Sequence, residues 1–382
     1  MIRISSSFDS GAIEVVSIAS EPEVERIDLR IRRDSHQDFT QWFHFRLQGA
    51  RGRRCVLRFV NAGACTYPGG WEGYAVAASY DREDWFRLPT TYRDGVMTVD
   101  ATVERDGLWF AYFEPYGWDR HLSFIGRASA SPRVRVSGLG STHDGRDIDC
   151  LDIAQPDAAG AARRQVWVIA RQHSGETMAE WFVEGLVERL IDESDPVARA
   201  ALALADFHVV PNMNPDGSVR GNLRTTATGA NLNREWLSPS MENSPEVFLV
   251  RQRMEETGVD LFIDAHGDEA LPYNFVAGSE MLPDFTERQR SEQSAFVAAF
   301  KDASPDFQDR YGYPSGKYSS DALKLASKWA GHRFGCLSLT LEMPFKDNAD
   351  APDARVGWNG ARSKRLGGAI LLPMLMNLKA AR

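Results

Sequence analysis

The 382 residues hold only four cysteines, Cys55, Cys65, Cys150 and Cys336. None forms a Cys-x-x-Cys pair or a Cys/His zinc spacing, so a thiolate metal site is not expected, and they read as buried free thiols of a reducing compartment. Long hydrophobic runs are missing as well. No apolar stretch approaches the roughly 20 residues of a membrane helix. The opening "MIRISSSFDSGAIEVVSIAS" has no charged stretch leading into an apolar one, so neither a membrane span nor a secretory signal is expected and the expected location is cytoplasmic. Positive charge is in short supply too. A formal net charge of -9 argues against general nucleic-acid binding, which needs a basic surface, but leaves room for a local basic pocket. Internal repeats, low-complexity tracts and long flexible linkers are likewise missing.

What is present suits a globular protein with a sizeable core: 43% hydrophobic and 25% charged residues. The length points to two domains. Up to about Ala130, short alternating segments such as "RIDLRI", "WFHFRLQG" and "LWFAYFEPY" are punctuated by Gly, Asp and Pro. They predict an N-terminal antiparallel β-sandwich over residues 1–128. His36 and His44 read there as strand-polar or surface residues. Over residues 129–382, apolar runs alternate with helical patterns. "ETMAEWFVEGLVERLIDES" spaces Met178, Trp181, Phe182, Leu186, Val187 and Leu190 along one helix face. This alternation predicts an α/β domain with a mixed, doubly covered sheet.

In such sheets ligands bind beyond the carboxyl ends of the strands. Three runs end in reactive side chains: "QVWVIA" leads to His173 and Glu176, "DLFIDA" to His266, and "CLSLTL" to Glu342. Two imidazoles and a carboxylate make a tripod for zinc with a fourth position left for water, and Glu342 would be free to act as general base. Each residue also has a plainer reading. Glu176 can favour a helix start through charge–dipole attraction, His266 can be a satisfied core histidine, and Glu342 a salt-bridged strand end. Between them runs "VVPNMNPDGSVRGNLRTTATGANLNREW". Its Asn-Pro-Asp-Gly turn is followed by Arg220, Arg224, Asn233 and Arg234, donors suited to an anionic substrate or a developing oxyanion. An ordinary solvated loop position serves equally well for Arg220.

Together these segments resemble the M14 family of zinc carboxypeptidases from about Gly138 to Phe345. His173-Ser174-Gly175-Glu176 is similar to the family's HxxE zinc pair, and His266 in "DAHGD" to its third ligand. The resemblance implies one zinc per chain. It also implies that Asn233 and Arg234 hold the substrate's terminal carboxylate, that Arg224 polarises the scissile carbonyl, and that Glu342 is the catalytic glutamate. "GSTHDGRDI" is similar to the family's opening segment. The strand-rich start, with "SGAIEVV" and "FAYFEPY", resembles the cytosolic carboxypeptidase branch, in which a β-sandwich precedes the catalytic domain.

Two departures stand out. Asn231 occupies a position where the family often has an aspartate behind a zinc-bound histidine, and Asp264 or Asp268 is expected to supply part of that support. The family's mobile, substrate-capping tyrosine falls near Tyr318, with Tyr311 and Tyr313 as competitors. Counting back from Glu342, the specificity pocket floor falls near Ser327, with Lys317, Lys324, Lys328 and Arg333 close in sequence.

The activity implied is hydrolysis of the C-terminal bond of peptides or protein tails, or of a glutamate linked through its side chain, with a preference for acidic terminal residues. One alternative is a zinc amidohydrolase, either a deacylase or an amidase of γ-linked cell-wall peptides. A second is a non-enzymatic binding protein with a vestigial zinc site. The sandwich is expected to shape the cleft entrance or to support self-association.

Overall fold

A computed structural model describes residues 1–156, 163–314, 316 and 320–380. Ten short strands come first: β1 (Arg3–Ser5), β2 (Glu14–Ser20), β3 (Val24–Arg30), β4 (His44–Gln48), β5 (Arg54–Phe59), β6 (Val76–Ser79), β7 (Trp85–Leu88), β8 (Thr90–Arg93), β9 (Val96–Thr102) and β10 (Gly107–Ala111). Period-two alternation drives them. In β5, Cys55, Leu57 and Phe59 are buried while Arg54 and Arg58 face solvent. The strands form two five-stranded sheets, ordered β1-β4-β10-β6-β7 and β2-β3-β5-β9-β8. The sheets meet through aromatic side chains, with Phe45 of β4 6.2 Å from Phe59 of β5 between ring centres. Every pairing is antiparallel except β3 with β5, because the chain between them crosses to the other sheet to form β4.

Helix α1 (Trp118–Ser129) then leads into a seven-stranded mixed sheet. Its strands are β11 (Val134–Ser141), β12 (Asp147–Ile153), β13 (Arg164–Ala170), β14 (Ala205–Val210), β15 (Leu261–Asp268), β16 (Phe275–Ala277) and β17 (Leu337–Pro344). The order is β11-β12-β14-β13-β15-β17-β16, and the central β14-β13-β15-β17 run is parallel. The helices are α2 (Thr177–Ile191), α3 (Pro196–Leu202), α4 (Pro215–Arg220), α5 (Pro245–Thr257), α6 (Glu287–Ala303), α7 (Ala326–Phe334), α8 (Gly360–Ala369) and α9 (Leu371–Ala380).

The sheet divides two cores. Along β13, Val166, Val168 and Ala170 face one core with α2, α8 and α9, while Trp167 and Ile169 face the other with α5 and α7. A strand buried on both faces reads as a continuous apolar run, which is why "QVWVIA" carries no alternation. Helix α2, whose N-cap is Glu176, is pressed against α8 backbone to backbone. A Cβ on Gly185 would fall 2.0 Å from the Lys364 carbonyl oxygen, and one on Gly367 1.8 Å from that of Phe182. Only glycine permits that approach. Among the described residues no helix is long and apolar enough to cross a membrane. All four cysteines are buried and free.

Candidate metal centre and substrate cleft

Strand β13 ends at Ala170, and the next turn is held from within. Arg171, buried with φ +60°, donates to the Ser174 carbonyl at 2.9 Å, the Tyr116 carbonyl at 2.8 Å and Glu180 at 2.7 Å. Gly175 is required by close approach, since a Cβ there would stand 2.9 Å from the Leu223 carbonyl oxygen. The turn brings His173 and Glu176 together, and β15 delivers His266. Glu176 Oε1 lies 2.7 Å from His173 Nδ1, and Oε2 lies 2.7 Å from His266 Nδ1.

All three residues are buried, and their donor atoms lie within 4.8 Å of one another. Outward, each ring is braced through Nε2: His173 by Asn231 Oδ1 at 3.2 Å, His266 by Asp264 Oδ2 at 2.9 Å. Orienting partners of this kind fix which imidazole nitrogen is presented to an ion. Of the two acids expected to give such support, Asp264 does so, while Asp268 accepts from the Tyr313 hydroxyl at 2.7 Å. Burial, with help from Arg224, pushes His173 down to about 3. Burial also acts against the charged form of His266, yet the Asp264 and Glu176 carboxylates drive it well up. Two nitrogens and a carboxylate, all from buried residues, converge to form a donor set that fits zinc.

A second grouping, Cys150, Asp152 and His208, does not fit an ion. Both His208 nitrogens are already partnered, by Asp152 at 2.6 Å and Gln165 at 2.7 Å, and Arg135 and Ser137 also bind Asp152. The Cys150 thiol is raised well above its ordinary value by burial, so its thiolate is disfavoured.

Glu342 lies on β17 as the register partner of His266. Its Oε2 is buried with no hydrogen-bond partner, and burial, reinforced by Glu176 and Asp268, raises its pKa well above the carboxylate range against the pull of His266. A cavity of about 1100 Å³ opens over this cluster, lined also by Arg224, Asn233, Arg234, Ser327 and Lys328. The Arg224 guanidinium has no hydrogen-bond partner among the described residues, and it lies 5.6 Å from the Phe39 ring centre and 6.0 Å from that of Tyr67. Arg234 donates to the Asn233 carbonyl at 2.6 Å, and Asn233 Oδ1 accepts from Ala326 N–H at 2.9 Å, while Asn233 Nδ2 stands 3.4 Å from His266 Nε2. Ser327 Oγ is 2.7 Å from Thr340 Oγ1.

Of the basic residues near Ser327 in sequence, Lys328 lines the cavity, and burial pushes it down to about 8 although Glu280 and Asp264 favour its charge. Lys324 pairs with Asp321 at 2.8 Å, Arg333 lies beside Phe334 and Glu255, and neither lines the cavity. Lys317 and Tyr318 lie outside the described residues. Tyr311 stacks on Tyr273 at 4.4 Å, whereas Tyr313 turns its hydroxyl towards Asp268. Arg220 is tied to Asp144 by two 2.8 Å bonds and stays outside the cavity, solvated as expected but at the end of helix α4 rather than in a loop.

Among the residues that escaped the sequence reading are Glu269 and Tyr67, which line the cleft, and Phe39, which lies beside Arg224. Glu269, buried and with Oε1 unpartnered, is pushed up to about 8 by burial and by Glu176. The acid pair directly after His266-Gly267 was its available signal. Tyr67 and Phe39 reach the site from the sandwich domain, and nothing in their local sequence marks them.

Residues 126–356 match the model of the zinc carboxypeptidase family, and residues 4–113 match that of the cytosolic carboxypeptidase N-terminal domain. The chain belongs to the M14 zinc carboxypeptidase family and is a metallocarboxypeptidase. Within that family its relatives include the cytosolic carboxypeptidases. Human cytosolic carboxypeptidase 6 is 29% identical over 354 residues, covering 86% of this chain and 67% of the relative. A metallo-carboxypeptidase from Burkholderia cenocepacia is 56% identical with a TM-score of 0.97, covering 100% of both chains. One from Pseudomonas aeruginosa, solved with (2-guanidinoethylmercapto)succinic acid, is 44% identical with a TM-score of 0.94, again covering 100% of both chains.

Proposed function

We propose that this protein removes the C-terminal residue of peptides or protein tails, with one zinc ion per chain, a cytoplasmic site of action and a preference for acidic terminal residues. The observation that carries this reading is the composition of one cavity: the His173–Glu176–His266 trio, the unpaired Glu342 Oε2 and the cations Arg224, Arg234 and Lys328 all line it. In this reading residues 1–128 form the sandwich and 129–382 the catalytic domain.

Zinc held by His173, Glu176 and His266 would supply Lewis acidity, polarising the scissile carbonyl and easing loss of a proton from water. Glu342 Oε2 takes a proton from the attacking water and returns it to the leaving nitrogen. Its raised pKa suits a group that must hold that proton for part of the cycle. Arg224 faces the carbonyl oxygen as negative charge develops there. Asn233 Nδ2 and Arg234 bind the terminal carboxylate, which makes cleavage exo- rather than endo-acting. Tyr313, which lines the cavity and interacts with Glu342 and Asp268, is the candidate cap over the substrate.

Lys328 supports the acidic preference. A buried ammonium facing a cavity lacks the solvation it would have in water, and a carboxylate side chain restores it. The ligand of the Pseudomonas relative carries both a succinate and a guanidino group, so it does not choose between acidic and basic side chains. The test is zinc content together with hydrolysis of peptides that differ only in a terminal Glu, Leu, Lys or Phe. Fastest release of Glu is expected, and fastest release of Lys or Phe would sink the preference.

A further inference from the structure

Arg224 lies in a segment without helix or strand, between Gly221, the left-handed cap of α4 (φ +68°), and the 3-10 turn Leu232–Arg234. Backbone of this kind has no ladder to fix it, yet a cation meant for a carbonyl oxygen must be held to within a fraction of an ångström. The grip comes from the other domain. Asp34, in the connection between β3 and β4, is 7% exposed. Its Oδ1 accepts from Leu223 N at 2.6 Å, and its Oδ2 accepts from Arg224 N at 2.8 Å, Thr225 N at 3.0 Å and Thr225 Oγ1 at 3.1 Å. Three consecutive amides thus converge on one carboxylate.

The grip is reciprocal. Asn222 Oδ1 accepts from Ser35 N at 3.0 Å, while Asn222 Nδ2 donates to the carbonyls of Thr225 at 3.0 Å and Thr226 at 3.2 Å. The same connection supplies Phe39, whose ring lies 5.6 Å from the Arg224 guanidinium. The backbone of the arginine is therefore clamped while its charged end is left unpaired towards the cleft.

We propose that Asp34 of the sandwich domain is a positioning residue for catalysis, holding the 223–225 backbone so that the Arg224 guanidinium is aimed at the substrate carbonyl. The inference rests on the reading of Arg224 as the carbonyl-polarising group. Charge-assisted bonds to backbone amides are strong and directional, and Asn at position 34 offers one neutral acceptor oxygen in place of two charged ones. A misplacement of about 1 Å costs on the order of 100-fold in rate, so partial loosening should still be easy to measure.

The experiment is a double-mutant cycle on the full chain with zinc bound, comparing wild type, D34N, R224A and D34N/R224A. It reads kcat and KM separately on one peptide, together with zinc content and melting temperature. D34N should lower kcat about tenfold with KM within about twofold and zinc fully retained. R224A should lower kcat about 100-fold, and adding D34N to R224A should change nothing further. T225V, which removes only the hydroxyl contact to Asp34, should give a smaller loss that also vanishes in R224A, and it carries the same cycle if D34N melts below the assay temperature. An equal loss in both backgrounds would overturn the role of Asp34 while leaving that of Arg224 intact. A wild-type kcat in R224A would remove the Arg224 assignment, and this inference with it.

Discussion

His266 and Glu342 are register partners across the parallel β15–β17 ladder. Adjacent strands lie about 4.8 Å apart, so a carboxylate is held beside the histidine proposed as a metal ligand by main-chain hydrogen bonds rather than by a flexible loop. The spacing is built into the sheet. E342Q keeps the side-chain volume and removes the base, so kcat should fall by about 10²–10⁴-fold with zinc content unchanged. Near-wild-type turnover with zinc bound would strip Glu342 of that role.

Removal of the ion should cost both activity and stability. Three buried donors around an ion that the unfolded chain cannot hold in place mean that binding favours the folded state by mass action. Dialysis against a chelator should abolish hydrolysis and lower the melting temperature, and zinc should restore both. H266A should match the chelated protein and fail to respond to added zinc. A melting temperature indifferent to zinc in the wild-type protein would speak against the trio as its site.

The proposed acidic preference, if carried by Lys328, has a pH signature. Burial depresses its folded-state pKa from the ordinary 10.5 to about 8, so the cation is present below that value and lost above it. The ratio of kcat/KM for Glu-ending over Leu-ending peptides should therefore fall as pH rises from 7 to about 9. A hydrogen bond to a charged group is worth about 1.5–3 kcal/mol, so K328M should lower the ratio roughly 10- to 100-fold and flatten its pH profile. A ratio independent of pH in the wild type would point to another determinant.

In the proposed function the exo-acting character rests on Asn233 and Arg234. Amidating the terminal carboxylate of a good peptide should raise KM and lower kcat/KM by about 10²-fold or more, since a cation is then left without its partner. R234A should lose most of that discrimination between free acid and amide. Products identified by mass spectrometry as single amino acids would also separate carboxypeptidase activity from release of an acyl group or a γ-linked peptide.

Much of the scaffold was legible because period-two alternation in the sandwich and apolar runs in the doubly covered sheet are local signals. The convergence of His173, Glu176, His266 and Glu342 on one cavity was legible for a related reason: each lies at or just beyond a strand's carboxyl end, where the fold gathers chemistry. Among the basic residues near Ser327, sequence proximity was a poor guide. Arg333 follows Lys328 by five positions, which turns it roughly 140° around α7, and among the described ones only Lys328 lines the cleft. Asp34 was illegible because its partners lie 189 to 191 residues away, and no spacing rule reaches that far. Tyr67 and Phe39 look like ordinary sandwich aromatics until the domains are seen together.

The clamp between residues 34–35 and 222–225 also bears on how such proteins can be recombined. Swapping the sandwich for that of a distant relative would exchange one half of a hydrogen-bonded seam and keep the other. The hybrid could bury its apolar surface normally and still leave three amides without their acceptor. Residues 31–43 and 220–230 therefore form one heritable unit despite belonging to different domains, and a working chimera should need both halves from the same parent.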